Sequence, residues 1–290
     1  MANAATIEDI ILKNDRRGIS VIRTQLPPDY CTRAAALVLD NRHRTHPTAL
    51  ITTGFYILSG NCAETDGPPG ALAIGETLHK LGFNIVYVID KYTLPFFTPD
   101  ISGQSKVVEF PIADAPMSFA LARTLLNELK PSIIISTERC GASSNGRYLN
   151  MYRRDIGEFT AKIDCLFDGS VPSIGIGDGG NEIGMGNIAA EIKKHPNLTS
   201  DPAVTRVNEL IIASVSNWGA YGLVAALSIL LKRNLLPGVE WEKKLIEELI
   251  KRGAVDGVSG VNGPLVDGFD LDENARMLTE LNEFVNARIQ

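Results

Sequence analysis

Apolar runs alternate with amphipathic stretches along most of this chain. The alternation predicts an α/β fold with a mostly parallel sheet and helices on both faces, Rossmann-like, preceded by an N-terminal helical extension. Up to about Asp40 the polarity is mixed, with helical stretches broken by Pro27-Pro28. Residues 49–58 read as a first strand. Ala71, Ile74, Gly75 and Leu78 then recur at i, i+3, i+4, i+7 spacing, one face of a helix that Gly82 ends. Residues 84–89 and 106–110 read as the second and third strands. Pro116 opens a helix with Ala122, Leu125, Leu126 and Leu129 as its buried stripe. Residues 132–136 form the fourth strand, leading into a loop and a helical segment that carries Tyr148, Asn150, Arg153 and Arg154. Residues 172–176 and 210–215 complete the set of strands. An amphipathic helix over 241–251 stops at Gly253, a glycine- and acid-rich loop covers 255–268, and a last helix runs to the terminus.

The run from Leu210 to Leu231 has no charged residue and approaches the length of a membrane span. Ser214, Ser216, Asn217, Trp218 and Gly219 interrupt it, so a strand, a polar turn and a buried helix over 221–231 explain it better than a bilayer does. A chain of 290 residues can bury a sizeable core, and without low-complexity stretches or repeats it reads as one domain over 1–290. A net charge of −6 with no basic cluster argues against nucleic acid as a partner, and no membrane partner is expected. Cys31, Cys62, Cys140 and Cys165 are widely spaced and the start lacks a secretory pattern, which points to a reduced, cytoplasmic setting. His43, His46, His79 and His195 show no metal spacing.

Candidate chemistry concentrates in residues 174–187, Ile-Gly-Ile-Gly-Asp-Gly-Gly-Asn-Glu-Ile-Gly-Met-Gly-Asn, where six glycines surround two acids and two asparagines after an apolar run. Successive N–H groups in such a turn form an anion-binding concavity, yet this one carries its own acids, Asp178 and Glu182. A carboxylate-like anion together with a proton or a metal ion suits it better than a plain phosphate. No G-x-G-x-x-G opens the first helix and no G-x-x-x-x-G-K-[ST] occurs, so no nucleotide cofactor is expected.

In open parallel sheets, ligands bind outside the carboxyl ends of the strands, and every unusual loop here follows a strand. Thr52-Thr53-Gly54, the loop from Glu64 to Gly70, Glu138-Arg139, the motif from Asp178 to Asn187, and Asn217-Trp218-Gly219 converge on one rim. Arg139, Arg147, Arg153 and Arg154 bring planar cations suited to gripping a carboxylate, of which one or two reach a ligand. An internal Glu138–Arg139 ion pair is the alternative for those two.

Glu64-Thr-Asp-Gly-Pro-Pro-Gly-Ala71, Asn145-Gly-Arg-Tyr-Leu-Asn-Met151 and Gly177-Asp-Gly-Gly-Asn-Glu-Ile-Gly-Met-Gly-Asn187 resemble the D-glutamate cyclase family, over about residues 10 to 285. That family's domain is the C-terminal half of a mitochondrial protein in animals and stands alone in bacteria; this chain resembles the standalone form. The resemblance implies a hydro-lyase that turns D-glutamate into 5-oxo-D-proline with release of water. The reaction needs a deprotonated amine, an electrophilic γ-carboxylate and a rigid pose. Within that reading an arginine near Arg139 or Arg147 clamps one carboxylate, and Gly179, Gly180 and Asn181 stabilise the oxyanion. Asp178 or Glu182 takes the amine proton, with Glu138 as a further catalytic carboxyl. Thr53, Gly54, Asp66, Gly67, Asn150 and Asn217 complete the substrate contacts. Alternatively Asp178 and Glu182 hold a divalent cation, Mg²⁺ or Mn²⁺, that polarises the γ-carboxylate. The partner is then a small, glutamate-like acid, with homo-oligomerisation left open. Two other classes remain: a non-catalytic binding protein for an acidic metabolite, and a metal-dependent hydrolase or phosphotransfer enzyme.

Overall fold

The computed structural model describes residues 5–103 and 105–290. Six parallel strands form its central sheet: β1 (Thr48–Thr52), β2 (Asn84–Ile89), β3 (Lys106–Glu109), β4 (Ile133–Thr137), β5 (Ser173–Gly177) and β6 (Glu209–Ile212). Their order across the sheet is β3-β2-β1-β4-β5-β6, so the direction of progression reverses between β1 and β4. This is the doubly wound order, with a topological switch point where loops from neighbouring strands splay apart.

Side chains alternate between the two faces, as the two-residue period of a strand requires. Ala49, Ile51, Ile133 and Ile135 point into the larger core. Helices α1 (Ile7–Ile11), α2 (Tyr30–Asn41), α3 (Pro68–Lys80), α5 (Ser216–Leu230), α6 (Val239–Lys251) and α7 (Leu271–Ile289) contribute to that face. Leu50, Val86, Val88 and Ile134 point the other way, under α4 (Ala115–Leu129) and the irregular segment that supplies Ala161, Ile163 and Leu166. The N-terminal helical extension packs into the larger core through Ile7, Ile10 and Ile11, and Ile11 accepts a backbone hydrogen bond from Ser214.

Three local readings change. The first strand ends at Thr52, because Gly54 adopts φ +100 and turns the chain; Tyr56–Ile57 pairs instead with Cys62–Ala63 in a small hairpin. The segment after β4 is not helical. Gly146 and Arg153 sit at positive φ, and the Asn150 side chain accepts from the Tyr152 and Arg154 N–H groups, which satisfies the backbone without a helix. Finally, Ser216 to Gly219 form the first turn of α5 rather than a polar turn. Among the described residues no helix is long and apolar enough to cross a membrane.

Candidate functional site

At the switch point, the ends of β1, β4 and β5 deliver Thr53, Glu138 and Asp178 to one place. Two helices meet beside them by capping each other. Asp66 precedes α3 and accepts from the Ser216 and Asn217 N–H groups at the start of α5 (both 2.8 Å). In return Asn217 Oδ1 accepts from the Gly67 and Gly70 N–H groups at the start of α3 (3.0 and 2.8 Å). Helix starts carry unpaired N–H groups and a positive dipole end, and each is here answered by the other's side chain. Asp66, Gly67 and Asn217, expected to bind substrate, therefore hold the frame of the site.

The glycine motif closes on itself in a similar way. Glu182 Oε1 accepts from the Asp178 and Gly179 N–H groups (3.1 and 2.6 Å), and its Oε2 accepts from Gly180 N–H (2.7 Å). The expected oxyanion donors Gly179 and Gly180 are thus engaged by the loop's own carboxylate. The loop folds back over β5, where a Cβ on Gly175 would lie 2.5 Å from the Ile183 carbonyl oxygen.

Arg17 enters this cluster from the N-terminal extension. Asp15 accepts from the Arg17, Gly18 and Ser20 N–H groups, a turn that presents the guanidinium inward. Arg17 then ion-pairs with Asp178 and, at 2.7 Å, with Asp267. Asp267 comes from an Asp267-Gly268 hairpin turn with φ +52 and +75, joining Leu265–Val266 to Phe269–Asp270. Both central residues at positive φ define the turn type that Asp-Gly favours. Asp256 fixes the turn by accepting from Gly268 N–H (2.6 Å). Glu64 lies under Gly257, where any side chain would collide with its carboxylate.

The result is six buried carboxyl groups, Glu64, Asp66, Glu138, Asp178, Glu182 and Asp267, around the one guanidinium of Arg17. So much negative charge out of water is costly unless protons or cations neutralise it. Burial, with Glu182 and Asp66 nearby, holds the Glu138 carboxyl well above the usual carboxylate range. Burial beside Glu138 and Asp267 does the same to Glu64. Burial outweighs the opposing pull of Arg17 on Asp178, and Asp66 is pushed up to about 8 by burial and Asp267. Glu138 also sits at φ +43, an uncommon conformation for a residue with a side chain, and Ser216 Oγ donates to its Oε2 at 2.6 Å. Oδ2 of Asp178 and Oδ2 of Asp267 have no hydrogen-bond partner among the described residues.

A cavity of about 230 Å³ opens onto this cluster. Arg17, Glu64, Glu138, Asn150, Arg154 and Asn181 give it polar walls, and Phe55, Met151, Tyr152 and Val258 give it apolar ones. Glu138, Asn150 and Asn181 among the expected residues therefore reach the space a ligand would fill. Asp178 and Glu182 lie beneath it. Thr53 is fully buried behind Glu138 beside Gly67, and the Gly54 carbonyl accepts from Arg139 (2.9 Å).

Neither expected clamp reaches this space. Arg139 is buried and pairs with Asp90 at 2.6 Å, rather than with Glu138, while donating to Gly54 and Ala161 carbonyls. Arg147 lies outside on the surface with Asp155 at 2.9 Å. The sequence reading missed Arg17 and Asp267 as site residues. For Asp267 the signal was present, because Asp-Gly between apolar residues marks a hairpin; for Arg17 nothing local gave it away.

Fold and site together define an α/β protein with a carboxyl-rich pocket of amino-acid size at the switch point of its sheet. The sequence profile of the family described as D-glutamate cyclase-like, C-terminal, matches residues 7–282, and the chain belongs to that family. It is 28% identical over 285 residues to the protein of Homo sapiens named D-glutamate cyclase, mitochondrial, a match covering 83% of this chain and 46% of that protein. This chain thus spans about half the length of that relative. Among solved structures, a short-chain type dehydrogenase/reductase from Mycobacterium marinum aligns over 84% of this chain and 90% of its own, at 12% identity and TM-score 0.29. An actinorhodin polyketide ketoreductase with NADPH aligns over the same shares, at 13% identity and TM-score 0.27. These scores are too low to bear on function.

Proposed function

We propose that the protein is a cyclase that closes D-glutamate to 5-oxo-D-proline with release of water. The observation that carries this reading is the cluster of buried carboxyl groups that opens onto a small cavity through Glu138 and Glu64, both raised in pKa. Protonated and ionised carboxyls side by side can both deliver and accept protons near neutrality. The name of the human relative supplies the substrate and its handedness.

In this scheme the ammonium group of glutamate is drawn to the acidic wall and Glu64 takes one of its protons. Glu138 protonates the γ-carboxylate, which removes its charge and makes its carbon electrophilic. The amine attacks that carbon, and the C–N bond forms. Glu138 then accepts the second nitrogen proton, and Glu64 returns its own to the departing hydroxyl, which leaves as water when the C–O bond breaks. Both side chains end as they began. Arg17 places its positive charge between Asp178 and Asp267 beneath the cavity, and the scheme starts with Glu138 protonated and Glu64 ionised.

A divalent cation fits the same cluster. Asp66, Asp178 and Asp267 each bring a carboxylate oxygen within 4.8 Å of the others, and Glu138, Asp178 and Glu182 form a second such trio. The unpartnered Oδ2 atoms of Asp178 and Asp267 are hard oxygen donors of the kind Mg²⁺ or Mn²⁺ takes. Bound there, the ion would supply positive charge to polarise the γ-carboxyl.

Incubation of the purified protein with D-glutamate and, separately, L-glutamate, with and without chelator, tests the reading by chiral chromatography of 5-oxoproline. Product from D-glutamate supports it, and loss of product with chelator assigns the cation a role. Absence of product from both enantiomers contradicts it and leaves a binding protein for a small acid as the better account.

A further inference from the structure

We propose that Arg154 is the outer carboxylate clamp of this site, binding the α-carboxylate of the substrate and so fixing which end of a dicarboxylic amino acid enters first. The proposal rests on the cyclase reading above and gives its substrate an orientation.

The cavity has two guanidinium groups, and they are in different states. Arg17 is committed to Asp178 and Asp267. Arg154, at the exposed mouth, has no side-chain hydrogen bond or ion pair to another described residue. The other arginines of the same stretch are engaged elsewhere: Arg139 with Asp90, Arg147 with Asp155, and Arg153 with Ser200 Oγ at 3.1 Å. Of these four, Arg154 alone faces the cavity with its donors free.

Its placement is built into a tight excursion over residues 149–155. Leu149 and Asp155 pair across the base, and Asn150 Oδ1 accepts from the Tyr152 and Arg154 N–H groups at 3.0 and 2.9 Å. Asn181, itself in the cavity wall, donates from Nδ2 to the Leu149 carbonyl (2.9 Å), tying the excursion to the glycine motif. Asn150 thus shapes the turn that carries Arg154.

The charge distribution sets the direction of binding. Glu64 and Glu138 line the inner wall, where in the scheme above the ionised Glu64 attracts the ammonium group and the protonated Glu138 donates to the γ-carboxylate. A zwitterionic dicarboxylate therefore keeps its permanently ionised α-carboxylate at the outer end, where Arg154 offers a planar fork of donors that matches it. Met151 and Tyr152 line the same mouth. The γ-carboxyl then points inward to Glu138.

Steady-state kinetics of the wild type, R154A and R154K with D-glutamate and with D-isoglutamine, whose α-carboxylate is an amide, tests the proposal. R154A lowers kcat/KM for D-glutamate by about tenfold or more, mainly through KM, and leaves the value for D-isoglutamine within a factor of about two. R154K falls between, since it keeps the charge without the fork. Equal kcat/KM for D-glutamate in wild type and R154A, or parallel losses on both compounds, overturns the assignment. If the wild type turns over neither compound, the cyclase reading fails and calorimetric titration with glutarate decides for Arg154 alone. Glutarate binding lost in R154A then supports the clamp, whereas equal binding, or none by the wild type, overturns it.

Discussion

Glu138 concentrates the tension of this site in one residue: a buried carboxyl, at positive φ, among other carboxyls. An acid whose folded-state pKa is raised costs stability as pH climbs above its ordinary value, 4.5, because the folded protein then holds a proton that the unfolded chain releases. Glu138→Gln removes that cost and retains an oxygen for Ser216 Oγ. The variant is therefore predicted to melt higher than the wild type, by more at pH 8 than at pH 4, while turnover falls by about 10²–10⁴. A melting temperature below that of the wild type at pH 8 would contradict the charge argument. Arg17 is the converse case. Arg17→Met strands Asp178 and Asp267 without their cation and is predicted to cost about 3–5 kcal/mol in urea unfolding at neutral pH. A loss under about 1 kcal/mol would show that the cluster is neutralised without it.

At the scale of elements, the reciprocal caps between α3 and α5 decide where both helices begin. Asn217→Ala removes the acceptor of two N–H groups at the start of α3 and should cost about 1–2 kcal/mol of stability. An unchanged unfolding free energy with a raised KM would return Asn217 to the substrate. These caps also explain what could be read from the chain and what could not. β2 was legible to its ends because Ile85 to Ile89 is a continuous run of β-branched residues and one tyrosine behind Asn84, and α7 because its apolar periodicity is sustained. The start of α5 was not, since the cap that lets Ser216 and Asn217 enter a helix lies 150 residues earlier, at Asp66. The Arg17–Asp178 pair spans 161 residues and left no local trace. The segment after β4 was misread as helical because its backbone is held by isolated bridges and the Asn150 side chain, which local sequence pattern does not register.

At the scale of the whole molecule, a buried acid outside the site matters as well. Glu242 in α6 is fully buried, its two carboxyl oxygens lack hydrogen-bond partners among the described residues, and burial pushes it up to about 7 despite the nearby Tyr221 hydroxyl. Stability from this group is complete below pH 4.5 and declines as pH rises to about 7, a loss of about 3 kcal/mol. Glu242→Gln should flatten that part of the stability profile in urea titrations between pH 5 and pH 8; a profile parallel to the wild type would refute it. At the same scale, the doubly wound sheet explains why loops distant in sequence share one rim: the switch between β1 and β4 leaves a crevice, and the carboxyls of four connecting segments fill it. In the proposed dehydration the two γ-oxygens of glutamate have different fates. D-glutamate carrying ¹⁸O in both γ-oxygens, incubated with the purified protein, follows them directly by mass spectrometry. The account predicts 5-oxoproline with a single ¹⁸O and the other label in water, formed at a rate proportional to protein concentration; 5-oxoproline no faster than in buffer alone would contradict it.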